Sequence, residues 1–207
     1  MLQPQGFFSL TVSRLLYFIS HPNVAIDEHA PIPSWPLSAL GRARMAAGLR
    51  QPWVRGLTSV YCSAEQKAID GAAILAEHLG LAFQQVEPLG EIDRSSTGYL
   101  PPPEFEAMAD RFFAEPDDSV RGWERAVDAQ ARIVSAAQSV AFDDRTPGAI
   151  AIVSHGAVGA LLYSWLTRQP ISRRWDQPAN GGGNFYAFAL DPPAAHGCWQ
   201  ALDGPVT

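Results

Sequence analysis

Five consecutive apolar residues, Ala149–Val153 (AIAIV), run into Ser154-His155-Gly156 and then into a second apolar stretch from Gly159 to Arg168. A strand with no polar alternation must be covered on both faces, which is the setting of a strand inside a mostly parallel sheet. Similar runs recur. Leu15–Ser20 (LLYFIS) ends at His21-Pro22, Leu57–Cys62 (LTSVYC) ends at Ser63, Leu81–Val86 is a shorter candidate, and Phe185–Leu190 follows the turn Asn180–Asn184 (NGGGN) as a last strand. Helical periods separate them. Ser38–Leu49 has Ser38 as a cap and Leu40, Met45 and Leu49 on one face. Ala64–Leu79 is amphipathic and closed by Gly80, and Glu104–Ala114 and Val120–Phe142 follow. Strands alternating with helices predict an α/β chain folded as a three-layer α/β/α sandwich around a mostly parallel central sheet. No linker splits it, so residues 1–207 are expected to form a single domain. Met1–Arg14 is a loosely packed lead-in.

Composition narrows the function. Apolar residues make up 47% of 207, enough for a core without metal or disulfide staples, and the net charge is −6 with no basic run. Such a chain lacks the phosphate-neutralising surface that nucleic-acid binding requires. No stretch reaches the roughly 20 apolar residues of a membrane span, and the first residues lack the positive charge of a signal peptide. Two cysteines, Cys62 and Cys198, make no disulfide framework and point to a reduced, cytoplasmic setting. The five histidines show no close zinc-like pairing, so no metal is expected.

Sites in such sheets form beyond the carboxyl ends of the strands. His21 and His155 both fall there, Lys67 follows the second strand, and Glu91 opens the loop after the third. Each residue alone has an ordinary explanation as a loop, surface or solvated group. Their occurrence together at one sheet edge is what points to chemistry.

The ordered segments Ser20-His21-Pro22, Pro36-Leu37-Ser38-Ala39-Leu40-Gly41, Tyr61-Cys62-Ser63 with Lys67-Ala68, Leu89-Gly90-Glu91, and Val153-Ser154-His155-Gly156 resemble the histidine phosphatase (phosphoglycerate mutase-like) superfamily. The resemblance implies that His21 attacks phosphorus and becomes a phosphohistidine, that Glu91 delivers a proton to the leaving oxygen, and that His155 stabilises the phosphoryl group. It implies a small phosphorylated substrate, a phosphomonoester, and no cofactor.

The departures are specific. Ser20 and Lys67 stand where the family has arginines, Pro22 replaces a glycine, and Asp27 stands at a usual asparagine. Lysine keeps charge but loses the bidentate fork. Arg94, three residues past Glu91, is a candidate replacement, with Ser95, Ser96 and Thr97 as hydroxyl donors and Arg121, Arg173 and Arg174 as further cations. Phosphate would then be held by Ser20, Asn23, Lys67 and Arg94. The alternative is a catalytically weak phospho-ligand-binding protein on the same fold. A Ser or Cys hydrolase with His155 as base lacks the Gly-x-Ser-x-Gly elbow.

Overall fold

The computed structural model describes residues 14–205. The lead-in expected over Met1–Arg14 lies outside the described residues except for Arg14. That residue is not loose: its guanidinium donates to Gly148 O (2.6 Å) and pairs with Asp144 (2.7 Å).

The described residues form β1 (Leu16–Ser20), α1 (Ala39–Gly48), β2 (Leu57–Cys62), α2 (Gln66–Leu79), β3 (Phe83–Gln85), α3 (Pro102–Ala114), α4 (Ala126–Asp143), β4 (Ala149–Ser154), α5 (Gly156–Leu166), β5 (Asn184–Leu190) and β6 (Pro193–Ala201). The sheet order is β3-β2-β4-β1-β5-β6. β1 to β4 run parallel, while β5 and β6 are antiparallel to their neighbours. Period-two alternation splits the central strands between two cores. Ile150 and Ile152 of β4 face α4 and α5 with Trp123, Ile133, Leu161 and Tyr186. Ala151 and Val153 face α1 and α2 with Met45, Val60 and Leu75.

Several expected elements are corrected. β6 follows the expected last strand; its sequence PAAHGCWQA is half-exposed and has neither an apolar run nor strict alternation. Val120–Gly122 is a separate 3-10 turn, broken by positive φ at Arg121 (52°) and Gly122 (82°), so the expected Val120 helix begins only at Ala126. α5 starts at Gly156, ahead of the expected Gly159. In α1 the apolar spacing misled: Leu40 is exposed, and Gly41, Met45 and Gly48 form the buried face. A Cβ at Gly41 would stand 2.1 Å from Asn23 O, so α1 reaches the loop after β1 only because position 41 has no side chain.

Ser38 caps α1 as expected, its hydroxyl accepting from Gly41 N at 3.1 Å. Replacing Ser38 with alanine leaves that N–H without its partner and is expected to cost ~1 kcal/mol, read as a lowered Tm in thermal unfolding. Both cysteines are free, Cys62 buried and Cys198 exposed. No described helix is long and apolar enough to cross a membrane.

Candidate active site

The register of β1 against β4 builds the site. Ser20 pairs with Ser154, so the residues that follow, His21 and His155, leave the sheet side by side. Their rings meet edge to face at 5.1 Å, and His21 N donates to Ser154 O (3.0 Å). The same sheet edge receives Glu65 and Lys67 after β2, and Glu91 and Arg94 after β3. All six line one cavity of about 410 Å³. Val24, Pro31, Ile32, Pro33 and Trp35 form its apolar wall; Trp35 meets Tyr99 edge to face at 5.8 Å, joining the two loops that frame it.

His21 is oriented by its own backbone: Nδ1 is 2.9 Å from Pro22 O. Desolvation by burial pushes its pKa down to about 4, against that backbone bond, which favours the charged ring. The turn 180–184 holds the other side of this residue. Gly181, Gly182 and Gly183 all have positive φ (82°, 78° and 69°), and Gly183 N donates to His21 O at 3.1 Å. The glycine run is therefore a backbone clamp, not the flexible turn its composition suggests.

His155 is fully buried. Its Nε2 lies 2.7 Å from Ser63 Oγ and 3.3 Å from Glu65 Oε1, while Nδ1 has no hydrogen-bond partner. Burial drives its pKa well below the usual histidine range.

Glu91 sits at the start of α5. Its carboxyl accepts from Ile92 N (3.1 Å), Val158 N (3.2 Å) and Ala157 N (3.4 Å). Burial and the neighbouring Glu65 nevertheless raise its pKa. Arg132 of α4 buttresses this segment, donating to Pro88 O and Gly90 O (2.9 Å each) and Glu91 O (3.2 Å) while paired with Glu124.

The two cations differ. Lys67 is buried, ion-paired with Glu65, and donates to Ile32 O at 2.9 Å. Arg94 lies over the Phe105 ring at 5.0 Å. Its guanidinium forms no hydrogen bond or ion pair with another described residue, which leaves a half-buried fork of donors facing the cavity.

Two expected phosphate ligands are placed elsewhere. Ser20 is buried outside the cavity lining, its hydroxyl donating to Gln177 Oε1 and accepting from Asn184 N (3.0 Å). Asn23 turns its Oδ1 to Arg44 (2.9 Å). Of the other candidates, Ser95 lines the cavity, but Ser96 bonds Arg121 O and Thr97 takes the Trp123 indole N–H. Asp27 is exposed and bonds His29 N; Arg173 pairs with Glu106 and Asp110, and Arg174 stacks on Trp175.

Sequence reasoning missed Glu65. Its carboxylate touches Lys67 and His155 and accepts from Glu91 N at 2.9 Å. Burial opposes its charge, but His155, Lys67 and the Glu91 N–H outweigh that and hold its pKa at about 2. The available signal was position: a glutamate at the cap before α2, beyond the carboxyl end of β2, with Lys67 two residues on.

A family model for the histidine phosphatase superfamily (branch 1) matches residues 23–187, more than half of the chain. The chain belongs to the histidine phosphatase superfamily. Among solved structures, a mycobacterial glucosyl-3-phosphoglycerate phosphatase in complex with inorganic phosphate is 18% identical, with 93% of this chain and 100% of that one covered at a TM-score of 0.75. YhfR of Bacillus stearothermophilus is 25% identical, with 89% and 95% covered at 0.73. Mycobacterial hydrolase 1 is 20% identical, with 86% and 89% covered at 0.70. No curated protein matches the sequence. These likenesses place the sandwich and its mostly parallel sheet within the superfamily fold.

Proposed function

We propose that the protein is a hydrolase of phosphate esters that works through a phosphohistidine on His21. One observation carries the reading: the 2.9 Å contact between His21 Nδ1 and Pro22 O, inside a cavity shared with His155, Glu91 and Arg94. A carbonyl can only accept, so Nδ1 carries the ring proton and Nε2 keeps its lone pair. With a pKa near 4, that imidazole is neutral and nucleophilic at neutral pH.

The lone pair of Nε2 forms the N–P bond as the ester P–O bond breaks. The departing oxygen takes the bonding electrons and the Glu91 proton. In the second step water attacks phosphorus, Glu91 takes back a proton, the N–P bond breaks, and inorganic phosphate leaves. His155, held at Nε2 by Ser63 and Glu65, lies in the same cavity lining beside His21, where its ring stabilises the phosphoryl group. Arg94 supplies the planar fork missing at Ser20 and Lys67.

Replacing Glu91 with glutamine is expected to lower kcat by ~10²–10⁴ on an alkyl phosphate. The loss on p-nitrophenyl phosphate, whose leaving group needs little protonation, is expected to be far smaller. Equal losses on both esters in steady-state kinetics would remove Glu91 as the acid. The binding-only reading is favoured by the Glu65–Lys67 pair, which occupies a cation that would otherwise hold phosphate. Tight phosphate binding without turnover or trapped phosphoenzyme would decide for it.

A further inference from the structure

We propose that Glu65 sets the charge of the phosphoryl group this site accepts, selecting one that carries a single negative charge: a phosphodiester, or a phosphomonoester in its monoanionic form. The inference rests on the phosphoryl-transfer reading of the cavity.

The argument is one of charge and position. Glu65 enters from the cap of α2, with its carboxylate against Lys67 Nζ and 3.3 Å from His155 Nε2. It is therefore among the phosphate-handling groups, not at the rim. The charged and titratable groups around it come from each packed element. β1 contributes His21 and β4 contributes His155, both neutral at neutral pH. α2 contributes Lys67. The loop after β3 contributes Glu91, neutral when it serves as the acid, together with Arg94 and the exposed Asp93 at the mouth. α4 contributes Arg132, cancelled by Glu124. Lys67 and Arg94 against Glu65 leave at most one net positive charge, and Asp93 in the lining lowers it further. A dianion there would face Glu65 with only one uncompensated cation, and like charges at close range in a partly buried site repel strongly. A singly charged phosphoryl group matches the balance. Donors for it are in place in the Arg94 fork.

The carboxylate is fixed in this role. It accepts the Glu91 N–H at 2.9 Å, and its surroundings keep it ionised across the working range. The pH response then belongs to the substrate. Phosphomonoesters become dianions near pH ~6, whereas diesters stay monoanionic.

The test compares kcat/KM for p-nitrophenyl phosphate and methyl p-nitrophenyl phosphate from ~pH 5 to ~8, in the wild type and in Glu65→Gln. Glu91 titrates equally in both substrates, so their ratio isolates substrate charge. In the wild type the monoester-to-diester ratio is expected to fall about tenfold per pH unit above ~6, following the monoanion. In Glu65→Gln the fall is expected to flatten, raising the ratio about tenfold or more at the alkaline end. An unchanged far-ultraviolet circular dichroism spectrum and a cooperative thermal unfolding transition show that the variant is folded. A ratio independent of pH in the wild type, or unchanged by Glu65→Gln, overturns the proposal. The two arms also identify the source: diester turnover across the whole range marks a diesterase, and monoester turnover confined to acid pH marks a monoesterase.

Calorimetric titration with phenylphosphonate supplies a readout without turnover. If no ester is hydrolysed, the hydrolase reading falls. The charge selection then stands only if phenylphosphonate affinity drops with pH in the wild type and not in Glu65→Gln. Absent or pH-independent binding sinks it.

Discussion

Replacing His21 with alanine is expected to lower kcat by on the order of 10⁴-fold or more, the scale seen when a covalent nucleophile is removed, and to abolish acid-labile phosphoenzyme. The cavity offers no ready substitute. Ser95 reaches its lining, but the carboxylate its side chain bonds is Asp93, whose lowered pKa makes it a weak base. Cys62 is absent from the lining, and burial pushes its thiol up to about 12. His155 is committed to Ser63 and Glu65 through Nε2. The measurement is single-turnover kinetics with a labelled phosphate ester, quenched rapidly in denaturant. Retention of activity within tenfold of the wild type, or a labile phosphate that survives the substitution, would put the nucleophile elsewhere.

The second large effect is expected from Gly182→Ala, a substitution that removes no charged group. Position 182 has φ of 78°, and a Cβ there would stand 2.3 Å from His21 O. The left-handed conformation alone costs a side-chain-bearing residue roughly 1–2 kcal/mol. The clash adds displacement of the His21 backbone, and a shift of ~1 Å in a reacting group can remove ~10²-fold in rate. Gly80→Ala is the matched control, with φ of 65° and nothing within 4 Å of the added Cβ. Both variants are expected to lose stability in thermal unfolding, and only Gly182→Ala to lose kcat. Equal activity in the two would mean that the glycine clamp does not set the position of His21.

The sequence made the parallel strands readable because they are buried on both faces. β1 and β4 appear as unbroken apolar runs and β2 as one interrupted at Ser59, each with a His or Ser at the carboxyl end. That is also why His21, His155, Glu91 and Lys67 can be gathered from the sequence. What escaped was set by close approach or by edge position. β6 is half-exposed, so no apolar pattern marks it. The buried face of α1 is partly glycine, and glycine scores as neither apolar nor polar in a periodic reading. Ser20 and Asn23 were drawn to phosphate by their place in a motif; their side chains instead support the β1 loop from behind, through Gln177, Asn184 and Arg44. Glu65 was overlooked because a lone glutamate before a helix looks solvated until Lys67 and His155 are seen around it.

The Arg132 buttress has a consequence for how such a scaffold diverges. It fastens the Glu91 segment to α4 through three backbone carbonyls, contacts indifferent to side-chain identity. The stretch between them, α3 with its flanking turns, can therefore vary at its exposed positions without moving the proton donor, while Met108, Phe112 and Phe113 hold it to the core and Phe105 carries Arg94. The reacting cluster and the flank that covers this side of the fold thus lie on separate pieces of chain, since no residue of 101–122 lines the cavity.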